Sequence, residues 1–265
     1  MLKSYGPTRI YMKDVSLLEM LQNGLHFGHQ VSRWHPKMGG YIFGVRNGVH
    51  IINLEKTQEA LLKSCEFVAN IAASGGTVLF VGSKRQCQDI IRDAALSCGM
   101  PYVNKRWLGG LMTNFNVLFK VLKKYKDLKY KMEVGKLSKY TKKEQLEFSR
   151  EIERLEESVG GIANLEKIPD AVFLVDVKRE KTAFAEAQTK GVPVVAICDT
   201  NVNPEEIDYP IPANDDATKS ITFIVGLIAE AVKEGKARPK PVIIKKEDVK
   251  AVSFEASAKK EEGKK

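Results

Sequence analysis

The spacing of apolar positions changes period several times along the chain. Residues 14–21 read as a short helix, with Asp14 or Ser16 as its cap and Leu17, Leu18 and Leu21 as its apolar positions. Residues 24–54 have no helical period. They are rich in Gly, His and aromatics, and read as extended segments and turns ending in a strand over 50–54. Helical spacing returns over 57–74, where Leu61, Leu62, Cys65, Val68 and Ile71 share a face.

An alternation then begins. Residues 77–82 (TVLFVG) form a short apolar run bounded by Gly, the mark of a buried strand. A helix is expected over 84–97, with Gly99 where a C′ glycine belongs. Residues 101–104, 169–175 (PDAVFLV) and 192–198 (VPVVAIC) are further strands, and a helix over 181–190 separates the last two. Pro210, followed by Pro212, confines the stretch 208–211 to a sheet edge. A last helix spans 217–232. Apolar strands alternating with helices imply an α/β fold with a mostly parallel sheet covered on both faces.

One stretch breaks this rhythm. Phe115, Leu118, Leu122, Tyr125 and Met132 fall at coiled-coil spacing, with Lys129 intervening at an apolar slot. Phe148, Ile152, Leu155, Val159 and Ile162 resume it after a break marked by Gly135, Ser138 and Thr141. The pattern predicts an antiparallel helical hairpin over 113–163, inserted into an α/β domain made of 14–112 and 164–232. Residues 1–13 stand as an N-terminal extension. Residues 233–265, rich in Lys and Glu, lack the apolar content to pack and read as a disordered tail.

Charge sharpens this division. Residues 101–150 hold 13 Lys and Arg against 4 Asp and Glu, a net of +9 that equals the whole chain's. Residues 233–265 add +5, so the remainder carries −5. A mildly acidic body with two basic appendages attracts polyanions. The second hairpin helix is acidic, from Glu144 to Glu157, so part of the lysine charge is expected to pair internally and leave the tip around Lys136 and Lys139 most positive. No run of 18 apolar residues exists, so no helical membrane span and no membrane partner are expected. No secretory apolar stretch follows Met1, so the chain is expected to stay where it is made. The four cysteines form no CxxC pair and suit a reducing compartment.

Candidate chemistry is sparse. Neither a GxGxxG nor a GxxxxGK[ST] loop is present, so no cofactor is expected. Gly82-Ser83-Lys84 follows a strand and precedes a helix; it could hold one phosphate or be a plain turn. With Asp176 and Asp199 at strand ends, that turn is the whole case for an enzyme or small-ligand binder. His26, His29 and His35 match no standard metal spacing, even joined to Asp176 or Asp199, so no metal is expected. The RNA case is better. Arg33-Trp34-His35-Pro36-Lys37 and Lys105-Arg106-Trp107 interleave cations with an aromatic, the chemistry of phosphate contact and base stacking. The tryptophans read equally as core anchors beside the Gly pairs 39–40 and 109–110.

GLHFGHQVSRWHPKM (24–38), RNGVHIINLEKT (46–57), TVLFVGSKRQ (77–86), YVNKRWLGGLMTNF (102–115), IPDAVFLVD (168–176) and VPVVAICDTNVNPEEIDYPIPANDDATKSI (192–221) resemble, in order, the ribosomal protein S2 family of the bacterial-type small subunit. The resemblance implies a flavodoxin-like α/β domain with an inserted coiled-coil hairpin and no enzymatic activity. It implies binding to 16S-type ribosomal RNA, contact with other small-subunit proteins including the multi-OB-domain mRNA-binding protein where one exists, and residence in a cytoplasmic ribosome. DNA is not an implied partner. Taken with the charge and motif pattern, the residues expected to bind RNA are His29, Arg33, Trp34, Lys37, Arg46, Lys84, Lys105, Arg106, Lys136 and Lys139. The family starts near Met12, so residues 1–11, with Lys3 and Arg9 and no acid, leave an organellar targeting remnant open. Lys105 stands where the family pattern has Gln, and the tail from about Lys240 matches no family motif. A free-standing coiled-coil adaptor is a third possibility.

Overall fold

The computed structural model describes residues 15–238. The extension over 1–13, the alternative cap Asp14 and the tail from 239 lie outside the described residues. Ser16 caps the first helix, α1 (Leu17–Gln22), its hydroxyl accepting from the Leu18 amide. The aromatic-rich stretch resolves into three strands, β1 (Phe27–Gln30), β2 (Ile42–Arg46) and β3 (Val49–Ile52), in a small antiparallel sheet of order β1-β3-β2. Asn47 and Gly48, both at positive φ, make the tight β2-β3 turn.

The helix α2 (Leu54–Ala73) begins earlier than its apolar spacing suggested, because Asn53 caps it through the Glu55 amide. The alternation that follows is β4 (Val78–Val81), α3 (Gln88–Cys98), β5 (Tyr102–Val103), α4 (Phe115–Glu133), α5 (Lys142–Val159), β6 (Ala171–Leu174), α6 (Lys181–Lys190), β7 (Val194–Cys198), β8 (Tyr209–Pro212) and α7 (Thr218–Ala237). The five later strands pair in parallel in the order β5-β4-β6-β7-β8. This is the flavodoxin-like order, and its direction reverses between β4 and β6. The proline-bearing β8 takes an edge, as expected.

Every residue of β4, β6 and β7 is buried, because both faces of the sheet are covered. Phe80, Phe173 and Ile197 face α2, α3 and α7. Leu79, Leu174 and Ala196 face α6 and the hairpin helices, whose Leu118, Leu122, Ile152 and Val159 belong to the same apolar cluster. The insertion therefore roots in the domain core.

Two expectations change here. The hairpin seam does not pass through Met132, which is 50% exposed; it passes through Leu128, at 8%. Stepping three residues from Tyr125 instead of four keeps Lys129 outside, where its Nζ meets Glu156 Oε1 at 3.0 Å. The last helix also outruns its expected end at 232 and takes residues through Ala237 from the stretch assigned to the charged tail. Gly235 packs directly on the Ala69 carbonyl of α2, an approach that any Cβ would block. Lys236 Nζ donates to the Cys98 carbonyl at 2.6 Å and the Gly99 carbonyl at 3.1 Å, satisfying the end of α3.

Candidate nucleic-acid interface

The segment 30–37 leaves β1 and crosses the turn after β7, where the His35 amide donates to the Thr200 carbonyl at 2.7 Å. Arg33, Trp34 and Lys37 are exposed on it, and Arg46 is exposed at the end of β2. Trp34 is 41% exposed, and its ring rests 5.3 Å from that of the buried His50. An aromatic face supported from beneath and open above can stack on a base. Lys37 Nζ lies 2.8 Å from Glu205 Oε2 at the surface. Arg33 and Arg46 make no ion pair among the described residues.

The second cation pair follows β5. Lys105 and Arg106 are exposed and unpaired among the described residues, whereas the adjoining Trp107 is 8% exposed. Its indole Nε1 donates to Glu186 Oε1 at 3.0 Å. The same carboxylate accepts from the amides of Gly110 (2.7 Å), Met112 (3.0 Å) and Thr113 (3.1 Å) and from the Thr113 hydroxyl (3.1 Å). Burial pushes the Glu186 pKa up, but these donors outweigh it and hold the group below the ordinary glutamate value. Trp107 is thus the core anchor and Trp34 the open platform. Sequence reading passed over Glu186; its only local sign is its place beside the inward positions Ala183 and Ala187 of α6.

Lys84 is engaged from within the protein. Its side chain turns inward, and its Nζ lies 2.7 Å from Asp176 Oδ2, 2.9 Å from Asp215 Oδ1 and 2.9 Å from Asp216 Oδ1. Burial pulls the Lys84 pKa down, yet the three carboxylates leave it above the ordinary value. Burial pushes Asp215 up to about 7, helped by Asp176 and opposed by Lys84. A phosphate approaching Lys84 would meet this ring of carboxylates. The turn itself is also closed, since Glu180 Oε1 accepts from the Ser83 amide at 2.8 Å and Arg179 Nε donates to the Ser83 hydroxyl at 3.0 Å. Of its two readings, the plain turn holds. It also explains why α3 starts at Gln88 and not at 84.

His29 is likewise engaged from within. Its Nδ1 lies 2.9 Å from Asp199 Oδ2, and its amide donates to Asp199 Oδ1 and to the Thr200 hydroxyl. The hydrogen bond to Asp199 raises its pKa above the ordinary value, against burial. His29, Asp199 and Asp215 bring potential ligand atoms within 4.8 Å of one another; His26 and His35 do not join them. Lys84 supplies positive charge to the same group. At the hairpin turn, Lys136 and Lys139 make no ion pair among the described residues and lie over the rings of Tyr130 and Tyr140, at 5.2 Å and 5.3 Å.

The segment that carries Arg33 and the pair Lys105 and Arg106 lie at one end of the sheet, beyond the carboxyl ends of β7 and β5. The family model described as Ribosomal protein S2 matches residues 20–235 of this chain. The chain belongs to the ribosomal protein S2 family. It is therefore a structural protein of the small ribosomal subunit, assembling with ribosomal RNA and other small-subunit proteins in the ribonucleoprotein that carries out translation. The family is structural and not enzymatic. No described helix is long and apolar enough to cross a membrane.

Proposed function

We propose that this S2-family protein attaches to 16S-type ribosomal RNA through two surface elements at the carboxyl end of its sheet. Arg33, Trp34, Lys37 and Arg46 form the first, and Lys105 with Arg106 the second. The observation that carries this reading is the exposure of Arg33, Arg46, Lys105 and Arg106 with no acidic partner among the described residues, while the nearby Lys84 and His29 are consumed by carboxylates. Lys136 and Lys139 extend the contact to the hairpin, which braces the domain in place. The α/β body (15–112 and 164–237) presents these elements and the two-helix insertion (113–163) projects between β5 and β6.

Phe43 is 79% exposed on β2, and Phe27 and Val45 are exposed on the same small sheet. Open apolar side chains of this kind are covered by protein neighbours in assemblies. The family resemblance adds the multi-OB-domain mRNA-binding protein as one such neighbour, in a cytoplasmic ribosome.

Small subunits purified from cells depleted of this protein provide the test. Rebinding should weaken steeply with salt, as expected when several phosphates are neutralised. The pair Arg33→Ala with Arg106→Ala should flatten that dependence by about two. Undiminished rebinding of the double variant would show that these cations serve the fold alone.

A further inference from the structure

The segment from Asn104 to Asn114 crosses from β5 to α4 without regular structure. It displays Lys105 and Arg106, yet neither side chain has, among the described residues, a partner that would orient it. Within the segment, the Asn114 amide donates to the Gly110 carbonyl at 2.8 Å and the Leu111 amide to the Leu108 carbonyl at 3.1 Å. Its tie to Gln88 is at the strand end, where Asn104 Nδ2 reaches the carbonyl at 3.1 Å. Trp107, Leu111 and Met112 are buried in the core, and the rest of the segment's polar anchorage converges on Glu186, from Trp107 to Thr113.

The amides of Gly110, Met112 and Thr113 point at a common centre, and Gly110 adopts the left-handed φ of +89° that the curl requires. Such a concavity of amides binds anions. Here an internal carboxylate fills it, so phosphate is kept out of the amides and left to the exposed cations. Trp107, held through its indole, fixes the backbone next to Arg106.

We propose that Glu186 is a positioning residue for the RNA contact of Lys105 and Arg106. The inference rests on the function proposed above. A carboxylate on α6, 80 residues along the chain from Arg106, sets the direction in which the two cations leave the surface. The loop itself has no other long-range polar tie from Trp107 to Thr113 among the described residues.

The test uses Glu186→Gln, which keeps the shape but leaves one acceptor oxygen for five donors. Rebinding to depleted small subunits is measured against salt in the full-length protein. In the wild-type background, Glu186→Gln should lower the log–log salt slope by about one to two. With Lys105→Ala and Arg106→Ala already present, it should add nothing. With Arg33→Ala present, it should act in full. An equal loss in all three backgrounds would make Glu186 a general structural residue and overturn the inference, as would an unchanged slope in every one. A slope unaffected by Lys105→Ala with Arg106→Ala alone would instead overturn the underlying reading of the loop. If Glu186→Gln does not fold, Trp107→Phe deletes one donor, keeps a ring and carries the same three comparisons.

Discussion

Lys84 Nζ stands 2.7 Å from Asp176 Oδ2, joining the turn after β4 to the turn after β6 at the point where strand order reverses. Sheets of this kind place their ligands there. In this chain an internal ion-pair group occupies the crevice, closed further by Asp215 and Asp216.

Removing one partner of a buried charge group leaves the others uncompensated. Lys84→Met should therefore cost about 3–5 kcal/mol of stability, measured by urea unfolding. Arg85→Ala, at an exposed neighbouring position, should stay within about 0.5 kcal/mol. Under conditions where Lys84→Met is fully folded, its salt slope for subunit binding should equal that of the wild type. A lower slope would show that Lys84 meets phosphate after all.

The same cluster sets a pH dependence. Asp215 is raised from 3.8 to about 7, so between those values the folded state holds a proton that the unfolded chain releases. His29 is raised from 6.5, so its stabilising contribution is complete below 6.5 and is lost as pH rises through its folded value. Both make stability fall with rising pH. His26, lowered by burial, acts in the opposite sense below its ordinary 6.5. The urea midpoint should thus decline from pH 6.5 to 8, chiefly through His29, and Asp215→Asn should remove only the part of the decline that lies below about pH 7. A midpoint that rises across this interval would contradict the assignment.

The two tryptophans should separate cleanly. Trp107→Ala removes a buried ring and a donor to Glu186 and should cost about 3–5 kcal/mol by thermal or urea unfolding. Trp34→Ala should leave stability within about 1 kcal/mol yet weaken subunit binding by about 1–3 kcal/mol, the range for losing one stacked base. Equal stability losses would place Trp34 in the core too.

The hairpin seam gives a third contrast. Leu128→Ala should cost about 2–5 kcal/mol, while Met132→Ala should stay near 0.5 kcal/mol. Thermal unfolding of the two variants decides between a seam through 128 and one through 132.

Much of this architecture is written locally. The runs that became β4, β6 and β7 are continuous apolar stretches, which only a sheet covered on both sides accommodates. The prolines of β8 marked an edge. Gly99, at φ +62°, ends α3 where a C′ glycine was expected. What stayed hidden depends on partners far along the chain. Lys105-Arg106-Trp107 and Arg33-Trp34 look alike as sequence. They differ because Glu186 draws one tryptophan inside, while Trp34 has only a ring beneath it. Lys84 looked like a phosphate ligand because its turn was visible and its pairing with Asp176, Asp215 and Asp216 was not. The small sheet was missed as a sheet because its strands lack the continuous apolar runs of β4, β6 and β7 and their pairing is interrupted by register shifts.

The hairpin shares one apolar cluster with the underside of the sheet, from Leu118 and Val159 to Leu79 and Leu174. Mechanically, this makes it a lever with its fulcrum inside the domain. A push on the turn near Lys136 is resisted at β4 and β6, the strands that also define the crevice closed by Lys84. Excising the arm would strip one wall from the sheet, so arm and body should melt as one cooperative unit.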